Sequence, residues 1–181
     1  MNFIGYDVIS GGGGDDHFRV ALDSGADFEG TLFGADGNDR FSLLPGGSVG
    51  TIDGGQDTDT INFSAFTDPV RADFGSNQTT QVGAVRNLER VMGGQGIDTL
   101  VGTPNSDLFE IRSENSGRLN QGTFSGFEIL DGAAGNDQFV FRNQSTVQSV
   151  IGGRGFDSLQ IDDRTLRGVN RYTIEKDTIS R

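Results

Sequence analysis

The chain has 181 residues, with 29 Gly, 14 Phe and neither Cys nor Trp, and 26 Asp+Glu against 14 Lys+Arg give a net charge of −12. Twenty of the acids are Asp and the single Lys is Lys176; Gly and Asp favour turns over helix interiors, so the balance excludes a helical domain. The acidity excludes nucleic acid and anionic membrane surfaces as partners and leaves cations, and the lack of Cys excludes disulfides and thiolate metal sites.

At the N-terminus, Met1 to Asp7 carries neither the basic nor the apolar region of a signal peptide. The expectation is that export is directed from elsewhere or that the chain is cut from a longer one. No apolar run approaches the ~20 residues of a membrane span, so no membrane insertion is expected. One frame then recurs along the chain: Gly, small, any, usually Gly, any, Asp, any, large apolar. It occupies residues 11–18, 34–41, 54–61, 93–100, 102–109, 132–139 and 152–159. The starts at 54, 93 and 132 keep a strict period of 39, close to twice the step of 20 that separates 34 from 54 and 132 from 152. The flanks repeat at the same offset, with Asn87 to Met92 before one turn and Gly126 to Asp131 before the next.

After each Asp the apolar residues alternate with period two, as in Phe18/Val20, Phe41/Leu43, Ile61/Phe63, Phe109/Ile111, Phe139/Phe141 and Leu159/Ile161. That pattern predicts a short strand with one buried face. Residues 65–86 and 113–125 break the spacing but hold strand-like pieces at 70–74 and 82–85, and read as coils with degenerate turns and longer loops. A unit of turn, strand, turn, strand cannot bury its face alone, whereas stacked coils build a continuous core. The expected fold is all-β: a right-handed parallel β-solenoid (β-roll or β-helix) with Gly/Asp-rich turns, one repeat domain over residues 1–181, its Phe rings stacked in a narrow interior. Residues 173–179 end the chain without a polar cap. Uncapped solenoids expose sheet edges, so the expectation is an excised segment, or an end that docks on another chain or a neighbouring solenoid segment.

The frame resembles the Gly-Gly-x-Gly-x-Asp-x-U-x nonapeptide of the RTX (repeat-in-toxin, hemolysin-type calcium-binding) proteins, where U is a large apolar residue. The resemblance implies a parallel β-roll in which six residues form a turn and three a strand. Calcium then sits between consecutive turns of one edge, held by the sixth-position Asp and backbone carbonyls. Carried over by position, it implies Asp16, Asp39, Asp59, Asp98, Asp137 and Asp157 as side-chain ligands, with the carbonyls of Gly12, Gly14, Gly94, Gly96, Gly153 and Gly155.

The residue chemistry points the same way. Ca²⁺ takes six to eight hard oxygens at about 2.3–2.6 Å, Gly permits the positive φ that turns carbonyls inward, and Asp keeps its carboxylate near the main chain. Stacked coils place such carboxylates about 4.8 Å apart, where two charges repel by roughly 3 kcal/mol at an effective dielectric near 20. Sites are expected where turns recur after one coil, 34 over 54 and 132 over 152. The step of 23 makes 11 over 34 a looser pair, and nine residues place the turns at 93 and 102 on opposite edges. Asp107 is the weakest ligand, because Thr103, Pro104 and Asn105 replace the small and Gly positions; Asp36 and Asp57 supplement a site or cap a turn. The alternative left open is a metal-independent solenoid whose Asp residues make Asx-turn hydrogen bonds.

Other constellations carry little chemistry. His17, the only His, reads as a solvated strand residue without a nucleophile motif near it. Glu89 and Glu128 occupy equivalent repeat positions and read as a structural pair of outward strand residues, while Arg86, Arg90, Arg112, Arg118 and Arg142 are scattered and pair locally with acids. No catalytic or organic-cofactor residues are expected. The reading is a non-enzymatic, calcium-binding, adhesin-like module of a bacterial secreted or cell-surface protein, outside the cell. Its alternatives are a metal-independent spacer, adhesion or self-assembly module binding surface ligands, and then a polysaccharide-active β-helix enzyme.

Overall fold

The computed structural model describes residues 8–162 except 22 and 24, together with the backbone of 174–176. The expectations for Met1 to Asp7, and for 173–179 apart from that backbone, lie outside the described residues. Among the described residues there are nineteen strands and no helix, hence none long and apolar enough to cross a membrane. In chain order the strands are β1 (Val8–Gly13), β2 (His17–Val20), β3 (Asp27–Asp36), β4 (Arg40–Leu43), β5 (Ser48–Gln56), β6 (Thr60–Asn62), β7 (Arg71–Asp73), β8 (Gln78–Thr79), β9 (Val82–Arg86) and β10 (Arg90–Met92). They continue as β11 (Thr99–Val101), β12 (Leu108–Ser113), β13 (Ser116–Leu119), β14 (Gly122–Ser125), β15 (Ile129–Asp131), β16 (Gln138–Arg142), β17 (Ser149–Gly153), β18 (Ser158–Asp162) and β19 (Ile174–Lys176).

They form two sheets. Sheet I has the order β1-β3-β5-β9-β8-β7-β11-β15-β17-β19, and sheet II has β18-β16-β12-β13-β14-β10-β6-β4-β2. From β1 to β6 the chain alternates between the sheets, and each strand pairs in parallel with the one a coil later. The same holds from β15 to β18. Inward residues line up in columns, Ile9, Leu32, Ile52 and Val85 in sheet I and Phe18, Phe41, Ile61, Val91 and Phe124 in sheet II. Phe18 stacks on Phe41 at 4.8 Å and Phe109 on Phe139 at 4.7 Å, which is the strand spacing itself. Burying these rings rather than exposing them is worth about 1.5–3 kcal/mol each.

The sheets are mixed, which corrects the expectation of a parallel stack throughout. Residues 65–86 and 113–125 are not coils with degenerate turns. They contribute two antiparallel meanders, β7-β8-β9 in sheet I and β12-β13-β14 in sheet II. Residues with φ > 0 make their reversals, Asn77 and Gln81 in the first and Asn115 and Asn120 in the second; Asn tolerates this region better than most side chains.

The meanders also explain the 39-residue period. A shift of 39 carries β7-β8-β9 onto β12-β13-β14 and β10 onto β15, and so exchanges sheet I with sheet II. The period is therefore not two coils returning to one edge. The motif turn after β5 passes from sheet I to sheet II, the one after β10 passes back, and the one after β15 passes forward again.

Candidate metal centre

Six of the seven motif turns cross from sheet I to sheet II and share one edge; only the turn at 93–98 lies on the return edge. Asp39, Asp59, Asp98, Asp107 and Asp137 are all at most 4% exposed, and Asp16 and Asp157 are half-buried. A carboxylate buried to this degree needs partners.

For Asp39, Asp59, Asp98, Asp137 and Asp157 one oxygen is matched by the neighbouring coil. Asp16 N–H donates to Asp39 Oδ1 at 2.8 Å, Asp39 N–H to Asp59 Oδ1 at 2.8 Å, and Asp59 N–H to Glu89 Oε2 at 2.8 Å. A second ladder runs from Asp107 N–H to Asp137 Oδ1 at 2.8 Å and from Asp137 N–H to Asp157 Oδ1 at 3.0 Å. Asp107, the weakest ligand by sequence, thus stands in line with Asp137 and Asp157. Glu89 and Glu128 are not outward strand residues, since both precede their strands. Each accepts the amide of an Asp thirty residues earlier, Glu128 Oε2 taking Asp98 N–H at 2.8 Å. Sequence reasoning missed that role, although the shared offset from Asp59 to Glu89 and from Asp98 to Glu128 was its visible trace.

The second oxygen divides the turns into two kinds. In the turns at 11, 34, 54, 132 and 152 the second and fourth positions both have positive φ: Gly12 and Gly14, Ala35 and Gly37, Gly55 and Asp57, Ala133 and Gly135, Gly153 and Gly155. There the Oδ2 atoms of Asp16, Asp39, Asp59 and Asp137 are buried and have no hydrogen-bond partner. In the turns at 93 and 102 the corresponding residues lie outside the positive-φ region. The second-position N–H then folds onto the carboxylate, Gly94 N–H to Asp98 Oδ2 at 2.5 Å and Thr103 N–H to Asp107 Oδ2 at 2.6 Å. Asp98 Oδ1 is also taken, by Val70 N–H at 2.8 Å. The turn at 93, with Asp98, Gly94 and Gly96, thus stands on the return edge with both Asp98 oxygens occupied.

The open oxygens face carbonyls. The first Gly of each frame exists because the sixth-position Asp folds over it. A Cβ on Gly34 would overlap both Asp39 Oδ2 and the Gly54 carbonyl oxygen, one on Gly54 both Asp59 Oδ2 and the Asn87 oxygen, and one on Gly132 both Asp137 Oδ2 and the Gly152 oxygen. Further carbonyls project from coil to coil, Gly14 toward Gly37, Ala35 toward Gly55, Ala133 toward Gly153 and Gly135 toward Gly155. The open Oδ2 atoms of Asp39, Asp59 and Asp137 thus border the same spaces as the carbonyl oxygens of Gly54, Asn87 and Gly152, while the Ala133 oxygen accepts Arg154 N–H at 3.0 Å. Burial pushes the Asp59 carboxyl up to about 6, with Asp39 and Glu89 adding to the rise against the opposing Asp39 N–H. Burial likewise pushes Asp137 up to about 6, with Asp107 and Asp157 adding to it against the Asp107 N–H. A buried carboxylate oxygen without a protein donor is a place where a cation can bind. Hard oxygens, a minority of them charged, are the donor set that Ca²⁺ prefers, so the residues present fit that ion. Among the described residues no three acidic or His side chains converge, so carbonyls must supply most of the ligands.

His17 lies exposed on β2, with Nε2 2.9 Å from Ser42 Oγ. Arg112 and Arg142 pair with Glu110, at 2.5 and 3.2 Å, and Arg142 also with Asp162.

Comparison with known proteins gives one family. The model of the RTX calcium-binding nonapeptide repeat matches residues 4–28 and 89–110, in four copies. No curated protein matches the chain. The matched stretches cover the turns at 11, 93 and 102, whereas those at 34, 54, 132 and 152 share the frame outside them. Residues 4–28 and 89–110 thus carry the RTX calcium-binding nonapeptide repeat.

Proposed function

We propose that the chain is a non-enzymatic calcium-binding module of a bacterial secreted or cell-surface protein, built as a single right-handed β-solenoid domain that two antiparallel meanders interrupt. The observation that carries this reading is the file of buried, partnerless Oδ2 atoms at Asp16, Asp39, Asp59 and Asp137, all on one edge. Asp16, Asp39, Asp59, Asp137 and Asp157 would hold the ions from their carboxylates, with carbonyls of the adjacent turns, including Gly14, Gly54 and Gly152. When bound, the ion supplies positive charge where the chain offers only acceptors. The chain's own part is to preorganise those acceptors through positive-φ turns and to hold the Oδ1 atoms of Asp39, Asp59, Asp137 and Asp157 on neighbouring amides.

Calcium then couples to folding. At the very low free calcium of a cell interior the buried carboxylates oppose stacking, and at ~1 mM outside, mass action favours the stacked state. A cavity of ≈ 310 Å³ opens between the meander tips and is lined by Phe74, Leu88, Leu100, Leu119 and Phe124 with Thr and amide side chains, without an acid or base. Melting in EDTA and after calcium is restored, with metal analysis by mass spectrometry, tests the proposal. A lower melting point in EDTA, recovered by calcium, supports it; an unchanged melt and no bound metal refutes it.

A further inference from the structure

We infer that the calcium file extends one coil beyond the repeats, to a site between the motif turn at 54–59 and the non-repeat segment 87–89, held by the Asp59 and Glu89 carboxylates and the Asn87 carbonyl. This rests on the calcium reading above but adds a segment without the repeat frame: Asn87, Leu88 and Glu89 contain neither the Gly nor the Asp of the nonapeptide. Asp59 is fully buried and its Oδ2 has no partner. That oxygen and the Asn87 carbonyl oxygen bound the same small space beside Gly54, too tight for a Cβ. Asn87 has φ 49°, which continues the positive-φ character of the file, and its side chain is anchored by Nδ2 donating to Asp53 Oδ1 at 2.8 Å. Glu89 closes the space by accepting Asp59 N–H through Oε2, where an Asp Oδ1 serves in the coils before it.

The 39-residue symmetry supplies an internal control. Asp98, Gly126 and Glu128 repeat the arrangement on the return edge. Asp98 N–H donates to Glu128 Oε2 at 2.8 Å, and a Cβ on Gly93 would overlap the Gly126 carbonyl oxygen. There the space carries no open oxygen, because Gly94 N–H occupies Asp98 Oδ2, while Asn115 Nδ2 donates to Glu128 Oε1 at 2.7 Å. Among the described residues no side-chain donor reaches Glu89. The same Asp–Glu pair is thus an ion site on one edge and a closed hydrogen-bonded junction on the other.

Counting Ca²⁺ per chain by native mass spectrometry on the wild type, Glu89→Gln and Glu128→Gln tests this. Each Gln keeps an acceptor for the Asp amide. The expected result is one ion fewer in E89Q and an unchanged count in E128Q. A wild-type chain that binds calcium, with the same count in E89Q, overturns the inference and leaves the calcium reading standing. A wild type without calcium removes both. If E89Q does not fold, anomalous scattering from wild-type crystals grown with Tb³⁺ decides instead, by a peak or its absence between Asp59 and Asn87.

Discussion

The turns at 54 and 93 share a frame and stand 39 residues apart, yet their carboxylates end in opposite states. Asp59 leaves one oxygen buried and unmatched, whereas Asp98 has both oxygens on backbone amides. The difference lies two residues into each turn. Gly55 has φ 108°, while Gly94 is outside the positive-φ region, so only Gly94 turns its N–H onto the carboxylate of its own turn. A Gly permits either state, and what lies above and below selects one. Gly55 rests against the Ala35 carbonyl of another motif turn, and Gly94 against the carbonyls of Phe63 and Phe66 in an irregular loop. In this pair the carboxylate state follows the segment the second position rests against, a motif turn at Gly55 and an irregular loop at Gly94.

The largest test of this contrast is calcium itself. Each site at a free concentration of 100 Kd adds about 2.7 kcal/mol. With 2–4 °C per kcal/mol for a chain of this size, several filled sites raise the midpoint of thermal unfolding by ~15 °C or more, measured by calorimetry with and without EDTA.

Next in size is the pH response of the metal-free protein. Asp59 and Asp137 have native values of about 6 against the ordinary 3.8. The native state therefore binds more protons than the unfolded chain between those values. These two groups contribute stability in full below pH ~4 and lose it as pH rises through about 6, by up to roughly 3 kcal/mol each. Urea unfolding in EDTA from pH 4 to 7 should show that loss, and saturating calcium should flatten it.

A smaller effect carries a diagnostic sign. In EDTA at pH 7, Asp59→Asn is expected to stabilise by about 1 kcal/mol, since an amide N–H can donate to the Asn87 carbonyl that Oδ2 now opposes. Asp98→Asn is expected to destabilise by about 1–3 kcal/mol, because two amide N–H groups already occupy its oxygens. In calcium, Asp59→Asn loses one ion's stabilisation and Asp98→Asn loses none. Equal behaviour of the two variants in paired chemical denaturation would break the comparison.

The smallest effect concerns backbone strain. Ala35 has φ 85° at a position where the frame favours Gly. Ala35→Gly removes a left-handed cost of roughly 1–2 kcal/mol and adds unfolded-state entropy of about 0.4–1 kcal/mol, a net gain of ~0.5 kcal/mol that denaturant midpoints resolve.

Much of this was legible in the residues. Period-two apolar pairs such as Phe41/Leu43 and Phe109/Ile111 are buried strand faces, because a strand alternates its side chains and only one face meets the core. The opposite edges of the turns at 93 and 102 followed from their nine-residue spacing, too short for a full coil. Asp107 is the weakest ligand by sequence because its turn lacks Gly, and in the structure its Oδ2 takes Thr103 N–H and its Oδ1 takes Asn120 Nδ2, in a closed turn that needs no positive φ. Glu89 and Glu128 were misplaced because a longer acid spans the gap to an Asp amide only when the coils are already stacked.

Composition, the Gly–Asp frame and the alternating strands by themselves determined an all-β repeat chain with acidic turns, since those signals are local and follow from φ preference and side-chain period. Tertiary structure alone decided which sheet each strand joins, that 65–86 and 113–125 fold back as antiparallel meanders, and that the 39-residue period exchanges the sheets. It also decided which carboxylates stay open. Each of those outcomes depends on what a turn is stacked against, and that neighbour lies 20 to 30 residues away along the chain.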